Sequence, residues 1–162
     1  MNLFTIGVYG FTEKTFFETL KTHEIDVLVD VRRRRGVRGK VFAFANRVRL
    51  ESQLAKEGMA YLYLPELAPT DEIRALATHV DASVGVTKRT RQVLPESFCL
   101  AYQDQVLSPL SRADVRLKLP PQATRVALLC VEANPHACHR QLAAAWLSEP
   151  NEVPVKHLIP TS

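Results

Sequence analysis

A thiol, an imidazole and a guanidinium follow one another at Cys138, His139 and Arg140, and the carboxylate of Glu132 precedes them in the chain. Thiols act as nucleophiles when nearby positive charge lowers their pKa, and imidazole and carboxylate groups transfer protons. The segment therefore predicts a reaction centre, with Cys138 as the candidate nucleophile and with Glu132 and His139 as candidate acid or base groups.

Structural roles for the same residues stay open. Cys138 shares a helical spacing with Leu142 and Trp146, which also fits a small buried side chain. Glu132 equally fits a structural partner of an arginine, and His139 equally fits a surface residue.

A metal site at this segment is disfavoured by its spacing. Cys130, Cys138 and a histidine match none of the usual paired-ligand patterns of zinc sites. In a helix, the side chains of the adjacent residues Cys138 and His139 would point about 100° apart. We therefore predict neither a metal nor another cofactor.

Positive charge is concentrated in one short block of the chain. Between Arg32 and Arg49 there are eight basic residues and no acidic one, in a chain of net charge +4. Because guanidinium groups bind phosphate through paired hydrogen bonds, the block predicts a polyanionic partner, a nucleotide or a nucleic acid. The predicted phosphate-binding residues of this block are Arg32, Arg33, Arg35 and Arg38. The alternative is a solvated loop, and a smaller basic cluster at 88–91 is interpreted as ordinary surface.

Alternating strands and helices must position these residues. Apolar runs predict strands at 3–8, 25–31, 61–64, 125–131 and 155–159, and helical patterns lie between them. This order predicts an open, Rossmann-like α/β fold, a three-layer α/β/α domain with a mostly parallel sheet that spans residues 1–162.

Three loops should meet at the carboxyl edge of such a sheet, where ligands of open α/β sheets bind. They are the glycine turn after the first strand, the arginine block after the second, and residues 132–140 after the fourth. Gly7, Tyr9 and Gly10 of the glycine turn are predicted to bind an anion through backbone N–H groups, although a plain strand-to-helix turn would have the same sequence. Asp30 ends the second strand and must find a partner, for which the adjacent arginines are closest.

The start of the last helix points to the same kind of ligand. Asn134 is a favoured N-cap and Pro135 a favoured first helical residue, so the helix is predicted to run from Pro135 to about Leu147. Cations in the first turns oppose the helix dipole unless an anion is held there. Arg140 is therefore added to the predicted phosphate-binding residues.

Composition excludes several other classes of protein. The chain has 162 residues, 46% hydrophobic and 23% charged, which is typical of a globular protein and not of a disordered one. Its three cysteines are too few for a disulfide framework, and its N-terminus does not resemble a secretion signal. We expect a cytoplasmic protein with reduced thiols and no membrane partner, and the sequence specifies no oligomeric state.

Several of these motifs together resemble the family called domain of unknown function 488. They are Val29-Asp30-Val31-Arg32, Leu64-Pro65-Glu66-Leu67, and Leu129-Cys130-Val131-Glu132 followed by Cys138-His139-Arg140. Many relatives carry a His-Ser pair where this chain has Val8-Tyr9, so a role for that histidine does not transfer. The resemblance implies an α/β/α domain and no known reaction, and some relatives are labelled as DNA-repair proteins.

Three functions remain as hypotheses. The first is an enzyme that acts on the phosphate ester or the base of a nucleotide or nucleic acid. The second is a non-catalytic nucleic-acid-binding module that uses only the arginine block. The third is a sensor of a small anion, in which the basic loop closes over a nucleotide.

Overall fold

A single five-stranded sheet forms the centre of the computed structural model, which describes residues 1–161. The strands are β1 (Asn2–Ile6), β2 (Val27–Asp30), β3 (Ala60–Tyr63), β4 (Arg125–Leu129) and β5 (Val155–Leu158). They lie in the order β3-β2-β4-β1-β5, and every neighbouring pair is parallel. The predicted α/β class and parallel sheet are confirmed.

The three inner strands are apolar runs because both of their faces are covered. Ile6, Val29 and Leu128 are fully buried. Ile6 of β1 and Asp30 of β2 both pair with Leu129 of β4, so the three strands end at one level. The loops that follow them therefore begin side by side.

Helices connect the strands and cover both faces of the sheet. They are α1 (Glu13–Thr22), α2 (Arg47–Lys56), α3 (Asp71–Val84), α4 (Glu96–Tyr102), α5 (Arg112–Leu117) and α6 (His139–Ser148). Short 3-10 turns span Lys40–Ala45, Pro65–Leu67 and Pro135–Ala137, and a π turn over Gln103–Leu107 extends α4.

The helices lie in two layers. Right-handed crossovers place α1 and α2 on one face of the sheet and α3 to α6 on the other. Phe16 of α1 accordingly packs on Phe44 of the first 3-10 turn with ring centroids 5.2 Å apart. On the opposite face α6 contacts α4, α5 and the strands β1, β4 and β5. The predicted three-layer α/β/α arrangement is confirmed.

The structure differs from the predicted last helix at one residue. Asn134 accepts a hydrogen bond from the backbone N–H of His136 at 2.9 Å and caps only the short turn Pro135–Ala137. Cys138 then adopts an extended conformation, with φ −139° and ψ 142°, and serves as the N-cap of α6. The helix α5 was not predicted, because prolines at 109 and 120 and a short length obscure its pattern. Among residues 1–161 no helix is long and apolar enough to cross a membrane.

Candidate functional site

A cavity of about 1040 Å³ opens at the carboxyl edge of the sheet. It is bounded by the loop after β2, by the loop after β4, by α3 and by the segment 86–94. The arginine block and the segment 130–139 thus face one another across it. Parallel strand ends at one level produce this juxtaposition of segments that lie about a hundred residues apart in the chain.

The charged residues that line the cavity are mainly cationic. Its basic residues are Arg32, Arg33, Arg34, Arg38, Arg74, Lys88 and Arg91, and its acidic residues are Asp71, Asp81 and Glu132. Arg33 and Arg74 both pair with Asp71, at 3.0 and 3.5 Å. Arg34 and Arg38 are exposed and form no ion pair with any part of residues 1–161. Positive charge therefore exceeds negative charge at the wall of the cavity.

Arg32 is the first residue of the arginine block and anchors it to the sheet. Its side chain is 1% exposed, and its Nε and Nη2 donate to the two carboxylate oxygens of Asp30 at 2.8 and 2.7 Å. Its Nη1 donates to the carbonyl of Ala45 at 2.8 Å, and Tyr61 Oη donates to Asp30 at 2.6 Å. The expectation that an adjacent arginine pairs with Asp30 is confirmed. Because each of its three nitrogens has a protein acceptor and its side chain is almost fully buried, Arg32 fixes the start of the loop and is not exposed as a phosphate-binding group.

The other arginines of the block divide between two sides. Arg33, Arg34 and Arg38 line the cavity. Arg35 does not line it, because its guanidinium stacks on the ring of Tyr63 at 3.8 Å and lies 3.9 Å from the carboxylate of Glu51.

Four polar side chains cluster beneath the cavity. Cys130 Sγ lies 3.4 Å from Glu132 Oε2 and 3.8 Å from His139 Nδ1, and Cys138 Sγ lies 4.0 Å from the same nitrogen. All four residues are buried, with exposures of 1% for Cys138 and 4 to 6% for the others. Cys130, Glu132 and His139 line the cavity, whereas Cys138 lies behind them. Cys138 is therefore buried, as the alternative interpretation held, but among polar groups.

The imidazole of His139 is fixed in one orientation. Its Nε2 lies 2.8 Å from the carbonyl of Val31, and Tyr102 packs edge-on against the ring at 5.5 Å. A carbonyl only accepts hydrogen bonds, so Nε2 carries a proton. In the neutral ring, Nδ1 then presents its lone pair to the two sulfurs. Val31 lies between Asp30 and Arg32, so the arginine block and the buried cluster share a backbone support.

Burial and mutual contacts shift the pKa values of this cluster. Burial raises the pKa of Glu132, with the neighbouring Cys138 adding to the shift. The pKa of the Cys130 thiol is raised by its hydrogen bond to Cys138 and by burial. Burial opposes ionisation of Cys138, but the hydrogen bond from Cys130, the charge of Arg140 and the contact with His139 outweigh it and lower its pKa. Among these residues Cys138 is the thiol that ionises first, and Glu132 is a carboxyl group suited to holding a proton.

Two residues of the basic cluster at 88–91, Lys88 and Arg91, line the cavity, so the interpretation of these two as ordinary surface is wrong, whereas Arg89 is exposed outside the cavity wall. Arg91 is 9% exposed at its side chain and pairs with Asp81 at 2.7 Å and with Glu132 at 3.5 Å. Lys88 lies 3.6 Å from the same Glu132 oxygen. The sequence contains no signal for the two pairs with Glu132, because they join segments more than forty residues apart that meet only after folding.

The glycine turn lies beside the site and not in the cavity wall. A Cβ on Gly7 would lie 1.9 Å from the carbonyl oxygen of Glu132, so glycine is required for the close approach of the two loops. The N–H groups of Val8 and Tyr9 donate to the carbonyl of Val131 at 3.0 and 2.9 Å. Gly10 has φ +89° and approaches Pro160. This turn supports the loop of Glu132 and holds no free Val8 or Tyr9 donor for an anion.

Arg140 has a similar supporting position. It is fully buried, and its Nη1 and Nη2 donate to the carbonyls of Glu132 and Ala133 at 2.6 and 3.2 Å. Arg140 therefore fixes the Glu132 loop, and its charge contributes to the lowered pKa of the Cys138 thiol. The cavity is also lined by three residues that were not among the predicted site residues: Arg34, Arg74 and Cys130.

Comparisons with known proteins place this geometry in a family. No curated protein and no solved structure matches the chain. The model of the family described as Domain of unknown function DUF488 matches residues 12–147. This range contains the arginine block, the cavity-lining part of α3 and the whole buried cluster. The chain belongs to the DUF488 family.

Proposed function

We propose that the protein is an enzyme that binds the phosphate of a nucleotide or nucleic acid in the cavity and acts on the phosphate ester or base at the buried cluster. One observation carries the proposal. The cavity is lined by Arg34 and Arg38, which form no ion pair among residues 1–161, and it leads to the Cys130 thiol, which lies 3.4 Å from the Glu132 carboxylate and 3.8 Å from the His139 imidazole.

The cavity suits an anion of nucleotide size. Its volume of about 1040 Å³ is at the upper end of small-molecule sites, which measure roughly 300 to 1,000 Å³. Arg34 and Arg38 supply guanidinium groups without protein partners among residues 1–161. The Nε–H of Arg91 is buried and also lacks a hydrogen-bond partner within that range. A phosphate in the cavity would accept from such donors.

The cluster supplies groups for proton transfer and for nucleophilic attack. Glu132 has a raised pKa and borders the cavity, which suits a general acid or base. His139 lies next to it and holds the two thiols in place. Cys138 has the lowered pKa, and Cys130 is the sulfur at the cavity wall, so the two thiols act as a pair at the reaction centre.

The rival function is a nucleic-acid-binding module without catalysis. The exposed arginines of the block favour it equally, because they would bind a phosphate backbone with or without a reaction. The buried cluster favours the enzyme. A binding module has no need of a carboxylate and two thiols beneath the phosphate-binding wall.

Binding is tested first, with a fluorescent nucleoside triphosphate and a labelled single-stranded oligonucleotide in fluorescence anisotropy. We expect binding at low salt that falls at least tenfold in the double variant Arg34→Gln with Arg38→Gln. The control for the loss of one positive charge is Arg47→Gln, at an exposed arginine of α2 outside the cavity. Absence of binding by the wild-type protein, or equal losses in control and test variants, would overturn the proposal.

Catalysis is tested by incubating the reduced protein with a panel of nucleotides and oligonucleotides and analysing the products by mass spectrometry. We expect turnover that Glu132→Gln and Cys138→Ser abolish while nucleotide binding persists, and that Cys99→Ser retains. Binding without turnover of any member of the panel would support the rival module and reject the enzyme.

A further inference from the structure

Three potential metal ligands converge in the buried cluster. Cys130 Sγ, Cys138 Sγ and a ring nitrogen of His139 all lie within 4.8 Å of one another, and all three residues are buried. His139 Nδ1 lies 3.8 Å from Cys130 Sγ and 4.0 Å from Cys138 Sγ. This convergence differs from the geometry that chain spacing predicts.

The difference arises from the backbone at Cys138. If Cys138 and His139 were consecutive residues of a helix, their side chains would point about 100° apart. Cys138 is extended, with φ −139° and ψ 142°, and α6 begins only at His139. This one change turns the thiol of Cys138 towards the imidazole of its neighbour.

The sulfur–nitrogen distances are slightly longer than those between ligands of one tetrahedral zinc ion. With Zn–S bonds of about 2.3 Å and Zn–N bonds of about 2.0 Å, sulfur and nitrogen ligands lie about 3.5 Å apart and two sulfurs about 3.8 Å apart. The two observed sulfur–nitrogen distances of 3.8 and 4.0 Å exceed the first value by a few tenths of an ångström. Small side-chain adjustments would close that gap.

The surroundings of His139 have the arrangement found behind metal-binding histidines. Such a ring donates its second N–H to a carbonyl or carboxylate, which fixes the tautomer and leaves the other nitrogen free to coordinate. Here Nε2 donates to the carbonyl of Val31 and Nδ1 faces the sulfurs. The ring is therefore already oriented as a ligand.

We propose that Cys130, Cys138 and His139 bind one Zn²⁺ ion, with the fourth position directed towards Glu132 and the cavity. Two thiolates and an imidazole are the soft and intermediate donors that zinc prefers, and two thiolates balance its charge. Three protein ligands and an open position are typical of catalytic zinc, and Glu132 Oε2 lies 3.4 Å from Cys130 Sγ on that side.

The zinc site deepens the proposed function without depending on it. When bound, the ion would supply Lewis-acid activation of a water or a substrate oxygen. The two cysteines would then serve as ligands and not as nucleophiles, and Glu132 would remain the acid or base group. Zinc-dependent nucleobase deaminases use the same donor types, with a glutamate that is not a ligand. Metal binding is measured without any nucleotide, so the two proposals fail separately.

The test uses the reduced full-length chain and the metals alone. Elemental analysis after incubation with Zn²⁺ and removal of excess metal should give about one zinc per chain, because a buried three-ligand site binds one ion. Co²⁺ in place of zinc should give the visible absorption of a tetrahedral cobalt–thiolate centre. Cys130→Ser and Cys138→Ser should each abolish both signals, whereas Cys99→Ser, the third cysteine of the chain, should retain them.

Several outcomes would overturn the proposal. They are a wild-type protein without zinc or cobalt–thiolate absorption, zinc that persists in both test variants, and thiols that form a Cys130–Cys138 disulfide with no metal uptake after reduction. Thermal melting keeps the test informative if a serine variant folds poorly. Zinc should raise the melting temperature of the wild-type protein and of Cys99→Ser, and a chelator should reverse the rise; no zinc-dependent shift in the wild-type protein would contradict the site.

Discussion

At the scale of single residues, the most constrained charges in the molecule are structural. Asp30 and Arg32 are almost fully buried, and the carboxylate accepts hydrogen bonds from the arginine side chain, the Arg32 backbone and Tyr61. Burial, followed by these contacts with Asp30, raises the pKa of Tyr61. The Asp30–Arg32 ion pair fixes the chain where β2 ends and the arginine block begins.

Removing one member of this pair should destabilise the fold strongly. Arg32→Met leaves the Asp30 carboxylate buried without its cation, which we expect to cost about 3 to 5 kcal/mol in the free energy of unfolding. Tyr61→Phe removes one hydrogen bond to the same carboxylate and should cost about 1 to 2 kcal/mol. Urea denaturation measures both. If Arg32→Met and Tyr61→Phe lowered the free energy of unfolding by the same small amount, the Asp30–Arg32 ion pair would contribute little to stability.

Gly7 should tolerate no side chain. Its Cβ position lies 1.9 Å from the Glu132 carbonyl oxygen, so Gly7→Ala must displace the loop that carries Glu132. We expect a loss of about 1 to 3 kcal/mol or more from overpacking. Gly36→Ala is the matched control, because the nearest atom to its Cβ position is 3.9 Å away. Thermal unfolding with an unchanged midpoint in Gly7→Ala would refute the close approach.

At the scale of secondary-structure elements, the break before α6 determines the site. A continuous helix from Pro135 would carry the Cys138 thiol around the helix surface. The short turn Pro135–Ala137 and the extended Cys138 instead place the thiol against His139. The cap provided by Asn134 holds this turn in place.

Loss of that cap should loosen the site locally. Asn134→Ala should cost about 1 kcal/mol, which corresponds to about a fivefold faster alkylation of Cys130 and Cys138 through local opening. Thr12→Ala removes the cap of α1, where Thr12 Oγ1 accepts from Thr15, and should cost a similar amount. Because α1 lies on the opposite face of the sheet from α6, loss of the Thr12 cap should leave the alkylation rates of Cys130 and Cys138 unchanged. Mass spectrometry with Cys99 as internal reference measures the rates, and equal acceleration in both variants would contradict a local role for Asn134.

At the scale of the whole molecule, the arrangement of charge matters more than its sum. The chain has a formal net charge of +4, but much of its charge is paired. Arg49 pairs with Glu13, and Lys21 pairs with Glu57, both on the α1 and α2 layer. Arg34 and Arg38 lie at the cavity and form no ion pair within residues 1–161, so they direct positive charge there.

This arrangement predicts the salt dependence of oligonucleotide binding. Each phosphate that the cavity neutralises contributes a slope of about −0.7 to the logarithm of affinity against the logarithm of salt concentration on single strands. Arg34→Gln and Arg38→Gln should each reduce the slope by roughly one contact. Arg47→Gln lowers the net charge equally and should leave the slope unchanged. Identical slopes in all three variants would indicate a response to net charge alone.

The sequence alone determined the fold class, the parallel sheet and the meeting of the arginine block with the segment 130–139. Periodic apolar runs specify strands and helices locally, and parallel strands place the loops after them at one edge. The partner of Asp30 was also predictable, because Arg32 is only two residues away.

Only the tertiary structure decided which of these side chains support the fold and which face the cavity. Arg32 and Arg140 have buried acceptors, Lys88 and Arg91 reach Glu132 from another segment, and Cys138 is turned by a single extended residue. These outcomes depend on contacts between distant parts of the chain and on the backbone conformation at one position. Neither leaves a periodic signal in the sequence, because burial, pairing and side-chain direction arise only when the loops are packed against one another.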